Sequence, residues 1–142
     1  MKKNKLVVSY EYDFELLGIT SSVKEYKLAW AINNSFNFKL KKNEDLVIDF
    51  NGGKKIIISN YIFKTQHSSF RLFKNKSFDS ASDSPNYLIP ELKNFDFVIS
   101  INGFEDTYLV EEFIQKLRAI AEVMYVQKID IMGLKSKDNL IF

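Results

Sequence analysis

The sequence predicts an α+β domain, with one mixed, mostly antiparallel sheet of about six to seven strands and two helices packed on one face of that sheet. The first supporting observation is a set of short segments in which apolar and polar residues alternate, as in strands with one buried face. The second is a pair of segments whose apolar residues recur with a helical period of roughly 3.6 residues. The third is Asn51-Gly52-Gly53, between two strand-like segments, which favours a β-hairpin and therefore antiparallel neighbours.

Composition limits the class of protein. The chain has 142 residues, of which 46% are hydrophobic and 15% aromatic, so we expect a single folded domain spanning residues 1–142. Its 20 Lys and Arg residues against 18 Asp and Glu give a net charge of +2, which is too small to favour nucleic acid or a membrane. The absence of Cys excludes disulfides, thiolate catalysis and Cys-based zinc sites.

The chain opens with a predicted strand followed by a helix. Apolar residues alternate with polar ones from Leu6 to Phe14, and Gly18 breaks the pattern. Ser22 and Glu25 have the spacing of a capping box, which predicts a helix from Val23 to about Phe36. Glu25 falls on the apolar side of this helix, and the capping role explains its position there. The predicted apolar face contains Val23, Tyr26, Leu28, Ala29, Trp30, Ile32 and Phe36.

The middle of the chain is predicted to be mostly β. A strand from Leu46 to Phe50 and a returning strand from Lys55 through Phe63 form the predicted hairpin. Gln66-His67-Ser68 is a second, weaker turn, and Phe70–Phe73 is the next strand. The Ser-rich segment at about 76–86 is predicted to be a mobile surface loop and not a domain boundary.

The last third of the chain is predicted to form a strand, a helix and a strand. These are Phe95–Ile101, a helix from about Asp106 to Ala121, and Val123–Ile129. Such a unit most simply forms a right-handed crossover with parallel strands, which makes the sheet mixed. A tail that is polar except for Leu134 and its apolar end follows from about Gly133, and that end, Leu140-Ile141-Phe142, could dock as a strand or bind a partner.

Two carboxylates near Pro90 form the first candidate site. Pro90 removes a backbone donor and fixes φ, so the chain must bend there. Glu91 could accept the backbone N–H groups of this bend, and Asp96, between two aromatic residues, could pair with Lys128 or face solvent. We favour structural roles for Glu91 and Asp96 and keep ligand binding as the alternative.

An aromatic and basic strand, Phe70, Arg71 and Phe73, is the second candidate site. Aromatic residues mixed with cations on a strand are typical of sheets that stack RNA bases. The basic-Gly-aromatic sequence of RNA-recognition domains is absent, and Phe is abundant throughout the chain. Core packing is therefore the favoured interpretation of these residues.

No metal or cofactor site is predicted. His67 is the only His and lies at a predicted turn, and one His without Cys does not suffice for an ordinary zinc site. Glu11 and Asp13 would share one face of the first strand, which we interpret as an ordinary solvated face and not as a cation site. Asn51-Gly52-Gly53 lacks the Lys-Ser/Thr and the following helix of a phosphate-binding loop.

One motif resembles that of a known family. Leu88-Ile89-Pro90-Glu91-Leu92-Lys93, followed by Phe95-Asp96-Phe97, is similar to the Ile-Pro-Glu-x-x-Val-Asp-Tyr motif of the uncharacterised IPExxVDY family, known mainly from Bacteroidetes. The opening Tyr10–Ile19 and the ending Leu134–Phe142 extend the resemblance over essentially the whole chain. Three residues instead of two separate Glu91 from the triplet, and two Phe residues replace Val and Tyr. The resemblance implies a small cytosolic protein and no particular activity.

These observations lead to an expected function class. No apolar stretch approaches the roughly 20 residues of a membrane span, and we expect a cytoplasmic protein. The favoured hypothesis is a non-catalytic protein–protein interaction module that binds an unknown partner or itself through the sheet face left open by the helices. The alternative is RNA or single-stranded nucleic-acid binding through Phe70, Arg71 and Phe73. A small enzyme built on Glu91 and Asp96 is the least favoured alternative.

Overall fold

The computed structural model describes residues 14–49, 55–77, 87–103 and 107–140. In these ranges the chain forms eight strands and two helices, together with short 3₁₀ helices at Pro90–Leu92, Ile131–Gly133 and Lys137–Leu140. The elements are β1 (Glu15–Thr20), α1 (Glu25–Phe36), β2 (Lys41–Lys42), β3 (Leu46–Asp49), β4 (Lys55–Ile58), β5 (Asn60–Lys64), β6 (Ser69–Lys74), β7 (Phe97–Asn102), α2 (Thr107–Arg118) and β8 (Tyr125–Ile129). Neither described helix is long and apolar enough to cross a membrane.

Six strands form one sheet in the order β2-β5-β6-β7-β1-β8, and β3 pairs with β4 in a separate two-stranded sheet. The α+β class and the mostly antiparallel pairing are therefore confirmed. In detail, every hydrogen-bonded pair among the described strands is antiparallel. β7 and β8 run in the same direction on either side of α2 in the chain, but β1 lies between them and is antiparallel to both. The expected parallel neighbours are thus separated by the first strand.

Both helices pack on the same face of the large sheet, as predicted. One core cluster combines residues of both helices with alternate residues of four strands. Its members include Leu28 and Ile32 of α1, Val110 and Phe113 of α2, Leu17 of β1, Leu72 of β6, Ile99 of β7 and Val126 of β8.

Phe38 is at the centre of an aromatic cluster in this core. Its ring centroid lies 4.5 to 6.0 Å from those of Phe36, Phe63, Phe70 and Phe113. These distances are in the range of favourable aromatic pairs. The cluster connects both helices to β5 and β6, so part of the high Phe content of the chain serves this core.

The opposite face of the sheet is covered by other segments of the same chain. Its core cluster contains Leu16, Phe73 and Val98 from the sheet, Ile56 and Ile58 from β4, Leu88, Ile89 and Leu92 from the segment before β7, and Ile131, Leu134 and Leu140 from the C-terminal segment. The expectation that the helices leave this face open for a partner is therefore wrong. The β3–β4 hairpin and the two segments bury most of its apolar residues.

β1 continues through Gly18, where the sequence pattern predicted a break. Gly18 is opposite Val98 of β7 and Gln127 of β8. A Cβ atom on Gly18 would lie 2.7 Å from the ring of Phe95, so the ring occupies the space that a side chain would need. The glycine allows close packing inside a strand and does not end it. The part of the predicted first strand that precedes Phe14 lies outside the described residues.

The predicted capping box at the start of α1 is wrong. The N-cap residue is Lys24, whose side chain makes no capping hydrogen bond, and the helix begins at Glu25. Instead of capping the helix with Ser22, Glu25 turns inward and is 8% exposed. The predicted apolar face is also wrong at Tyr26 and Trp30, which are 64% and 60% exposed.

The predicted hairpin is confirmed for its two strands, β3 and β4, while residues 50–54 lie outside the described part of the chain. The returning strand ends at Ile58, and after Ser59 the chain enters the large sheet as β5. The turn between β5 and β6 is confirmed, with the Thr65 N–H donating to the Ser68 carbonyl at 2.8 Å. The short strand β2 was not predicted, because two lysines carry no alternating pattern.

Several predicted boundaries shift in the last third of the chain. The strand expected from Phe95 begins at Phe97, and α2 ends at Arg118. Two of the apolar residues in the predicted polar tail, Leu134 and Leu140, are 7% and 5% exposed and belong to the second core. Residues 78–86 of the predicted Ser-rich loop, and residues 141–142 of the apolar end, lie outside the described residues.

Candidate functional site

Glu91 connects the motif segment to the C-terminal segment. Its Oε2 atom accepts hydrogen bonds from the backbone N–H groups of Lys135 and Ser136, the latter at 2.9 Å, and Oε1 accepts one from the Ser136 hydroxyl at 2.8 Å. Glu91 was expected to bind the bend at Pro90, whereas these donors lie 44 and 45 residues further along the chain. The carboxylate therefore holds two distant segments together.

These contacts lower the pKa of Glu91. Partial burial raises the pKa, but hydrogen bonds from its own backbone N–H, from Ser136 and from Lys135 outweigh that effect, and the net pKa lies below its ordinary value of 4.5. Because the folded-state pKa is lowered, the ionised carboxylate stabilises the folded chain at pH values above 4.5. This stabilisation is lost as the pH falls through the folded-state pKa.

We expect Glu91→Gln to lower the free energy of unfolding by about 1–2 kcal/mol near neutral pH, because the variant loses the ionic hydrogen bonds of the carboxylate. The loss is no larger because solvent screens these hydrogen bonds. The difference from wild type should narrow in acid, where Glu91 itself becomes neutral. Urea denaturation at neutral and acidic pH measures both effects. Glu111→Gln, on the exposed side of α2, is the matched control and should change stability by less than about 0.5 kcal/mol. An equal loss for Glu91→Gln at both pH values would contradict the charged role of Glu91.

Asp96 holds the start of β7 against the end of β1. Its Oδ2 atom accepts a hydrogen bond from the Ser21 backbone N–H at 2.9 Å. The suggested pairing with Lys128 is wrong, because Lys128 forms its ion pair with Glu15 at 3.3 Å. Asp96 and Glu91 thus accept hydrogen bonds from different parts of the backbone. Ligand binding by either residue stays a prediction.

Phe70, Arg71 and Phe73 do not form an exposed aromatic surface. Phe70 is 4% exposed and belongs to the helix-side core, whereas Phe73 is fully buried in the core on the opposite face. Arg71 is half-buried, with its Cζ atom 6.0 Å from the centroid of the Phe73 ring, and burial lowers the pKa of its guanidinium. The two rings are therefore inaccessible to a stacking base.

β8 is an edge strand of the large sheet, with β1 as its only neighbour among the described strands. Three large apolar side chains at or near its ends are exposed: Met124 is 68%, Tyr125 52% and Met132 66% exposed. On one side of the edge, the Tyr125 ring stacks on Phe95, and its hydroxyl group donates a hydrogen bond to the side chain of Gln127 at 3.0 Å. This edge offers backbone hydrogen-bonding groups beside apolar side chains.

The other edge of the sheet has the opposite character. It consists of β2, which has only two residues, Lys41 and Lys42, both of them exposed. Short edge strands and lysine side chains are common ways in which proteins prevent unwanted strand pairing. Of the two edges, β8 is therefore the longer one and the one with large exposed apolar side chains at or near its ends.

Glu25 is a buried carboxyl group that the sequence interpretation missed. It is buried beneath the first turn of α1, and its Oε2 atom has no hydrogen-bond partner in the described part of the chain. Burial raises the pKa of Glu25, although a hydrogen bond from Ser59 and the charges of Lys42 and Lys74 act in the opposite direction. The apolar-side position of Glu25 was the sequence feature that could have revealed it.

The fold and these residues define an α+β domain with one apolar sheet edge and, in the part of the chain that is described, one buried carboxyl group, that of Glu25. Within the ranges that the structure describes, no three His, Asp or Glu side chains converge to hold a metal ion. No family model and no curated protein matches the chain. The resemblance to the IPExxVDY family therefore stays a prediction.

Proposed function

We propose that the protein is a non-catalytic interaction module that associates with a second copy of itself through β8. The observation that carries this proposal is the contrast between the two sheet edges, of which only β8 is flanked by the exposed apolar side chains of Met124, Tyr125 and Met132. Strand addition at an open edge is a common mode of protein recognition. Association through β8 replaces the hypothesis, favoured by the sequence, of association through an open face of the sheet.

A second copy suits this edge for a geometric reason. Two identical strands that pair in antiparallel fashion are related by a two-fold axis, which is the commonest symmetry of soluble oligomers. Pairing of β8 with its copy would extend the six-stranded sheet across the dimer and bring the two sets of Met124 and Tyr125 side chains toward the interface. The backbone groups of the edge would then exchange hydrogen bonds with protein in place of water.

The alternative, binding of RNA or single-stranded nucleic acid, gains no support from the proposed residues. Phe70 and Phe73 are buried in cores on opposite faces of the sheet. Base stacking requires accessible ring faces. Self-association through β8 is therefore the favoured function.

We expect the wild-type chain to have twice the mass of one chain in multi-angle light scattering, and Met124→Lys/Tyr125→Lys to have the mass of one chain. The double variant should weaken association by about 100-fold or more, because it removes the exposed apolar contacts from both edges and adds two ammonium groups to each interacting strand. Met124→Lys alone, at a side chain that is 68% exposed, tests the same point with little risk to folding.

Tyr26→Lys is the matched control, since it removes an exposed apolar side chain from α1 that lies beside Lys42 of β2 and Tyr61 of β5, at the opposite edge of the sheet from β8. We expect it to leave the dimer intact. A wild-type chain that stays monomeric at roughly 0.1 mM would contradict the proposal. A dimer that resists both edge variants, while their thermal denaturation shows a folded protein, would show that a different surface is used.

A further inference from the structure

A small polar cavity lies on the sheet face opposite the helices, where β5 and β7 end and β6 begins. Its volume is about 210 Å³, below the range of about 300–1,000 Å³ that is typical of sites for drug-sized ligands. Phe14, Ile62 and Leu140 provide the apolar part of its lining. β1 lies between this part of the sheet and β8, so the cavity does not depend on the proposed dimer.

The register of the strands brings five polar side chains together around this cavity. Arg71 of β6 is opposite Ser100 of β7. Two positions earlier on β6, Ser69 is opposite Asn102 of β7 and Lys64 of β5. Residues two positions apart on a strand point to the same face, so all five line the cavity together. Each of them can donate hydrogen bonds, and none of the described lining residues is acidic.

Arg71 is the central donor of this set. Its side chain is half-buried, and its Cζ atom lies 6.0 Å from the centroid of the Phe73 ring, a distance at which the ring attracts the cation. Burial lowers the pKa of Arg71, because its charge has lost part of its hydration. A guanidinium group has five N–H donors in a planar fork, which is more than one partner can occupy. An anion beside it would stabilise the partly desolvated charge.

The other donors can also be reached from solution. Lys64 and Asn102 are exposed, and Ser69 and Ser100 are half-buried. All four belong to strands of the same sheet, and regular strands hold side chains in more precise positions than loops do. The cavity is therefore an accessible group of donors on a rigid part of the fold.

We propose that this cavity binds a small phosphate dianion, either free phosphate or the phosphate group of a monoester. Two N–H groups of Arg71 donate to two phosphate oxygens, and the ammonium group of Lys64 supplies the second positive charge. The hydroxyl groups of Ser69 and Ser100 and the amide of Asn102 donate to the remaining oxygens. A phosphate monoester carries nearly two negative charges at neutral pH, which matches the two cations.

Other ligands fit this set of donors less well. A carboxylate has one negative charge and two oxygens, so it would leave a cation and several donors without a partner. A divalent cation would be repelled by Arg71 and Lys64 and would find no carboxylate among the described lining residues. A nucleic-acid strand has one charge per phosphate, and the buried rings of Phe70 and Phe73 cannot stack on its bases.

The test is a titration of the ¹⁵N-labelled full chain with inorganic phosphate and with phenyl phosphate, at neutral pH and constant ionic strength, followed by NMR. We expect saturable shifts of the start of β6, the end of β7 and the side-chain amide of Asn102, with a Kd of about 1 mM or lower. Acetate should bind at least about tenfold more weakly.

The two phosphate probes distinguish the source of the ligand. Tighter binding of phenyl phosphate would assign the site to a monoester, and tighter binding of inorganic phosphate would assign it to the free ion. No saturable shift with either probe at about 10 mM, or equal binding of acetate, would overturn the proposal.

Two variants test the two cations separately. Arg71→Lys keeps the charge but loses the planar fork, and Lys64→Met removes the second charge, so each should weaken phosphate binding by about fivefold or more. Arg118→Gln is the matched control, because Arg118 is the only other arginine in the sequence and is exposed on α2. It should bind phosphate as the wild type does. Binding that survives both site variants, with thermal denaturation showing that they are folded, would refute the assignment, whereas failure of the dimer test would leave it untouched.

Discussion

Asn75→Asp is expected to lower the free energy of unfolding by about 3–5 kcal/mol, the largest loss predicted for a single substitution in this chain. Asn75 is fully buried, and its Nδ2 group donates to the carbonyl oxygens of Leu92 at 2.9 Å, Phe95 at 3.2 Å and Ile89 at 3.5 Å. Its Oδ1 atom accepts from the Ile89 N–H at 2.9 Å. An aspartate would set a carboxylate oxygen against those carbonyl oxygens at a position that bulk solvent does not reach.

Chemical denaturation followed by circular dichroism measures the effect, and Asn33→Asp is the matched control. Asn33 also makes two side-chain hydrogen bonds, both to Leu40, but the site is only partly buried. We expect Asn33→Asp to lose about 1–2 kcal/mol. Similar losses for the two variants would mean that Asn75 does not hold the segment before β7 against the sheet.

Local patterns were sufficient to predict the class of fold. Alternation from Phe97 to Ile101 and the apolar stripe of α2 are properties of consecutive residues, and both elements form close to the predicted places. Both helices bury their stripes on one face, as two amphipathic helices on a sheet must. The hairpin of β3 and β4 also follows from neighbouring residues alone.

The pairing of distant strands could not be predicted in the same way. Alternation shows that a segment is a strand but not which strand lies beside it, and so the insertion of β1 between β7 and β8 was missed. The segments that cover the sheet face opposite the helices are held by hydrogen bonds of Asn75 and Glu91. The partners in these hydrogen bonds are 14 to 45 residues away in the chain. No short-range pattern contains such contacts.

The alternation of side chains between the two faces of a strand, in contrast, could have corrected one site prediction. Phe70 and Phe73 are three positions apart on β6, so their side chains point to opposite faces of the sheet. The two rings therefore cannot form one stacking surface, and the structure places them in two different cores. The aromatic and basic composition of the segment concealed this simple geometric limit.

The burial of Glu25 was concealed by a competing local explanation. The spacing of Ser22 and Glu25 matches a capping box, and a capping role by itself accounts for a carboxylate on the apolar side of the helix. In the structure Lys24 is the N-cap residue, and Glu25 packs toward Lys42 and Lys74. The position of a charged residue on the apolar face of the helix was itself the sign that its side chain is buried.

Glu25→Gln is expected to stabilise the folded chain at alkaline pH by about 1–3 kcal/mol, since replacing a buried charged group with a neutral one of similar shape is often stabilising. Burial raises the folded-state pKa of Glu25 above its ordinary value of 4.5, so the folded chain binds the proton more tightly than the unfolded chain does. The wild type therefore loses stability as the pH rises from 4.5 through the folded-state pKa, and the variant lacks this loss.

Urea denaturation of both proteins across this pH range, with the difference plotted against pH, isolates the contribution of Glu25 from those of other carboxylates. Glu112→Gln, at an exposed position of α2, should give a difference that is near zero and flat. A Glu25→Gln variant that is less stable than wild type at alkaline pH would show that the carboxylate contributes to folding.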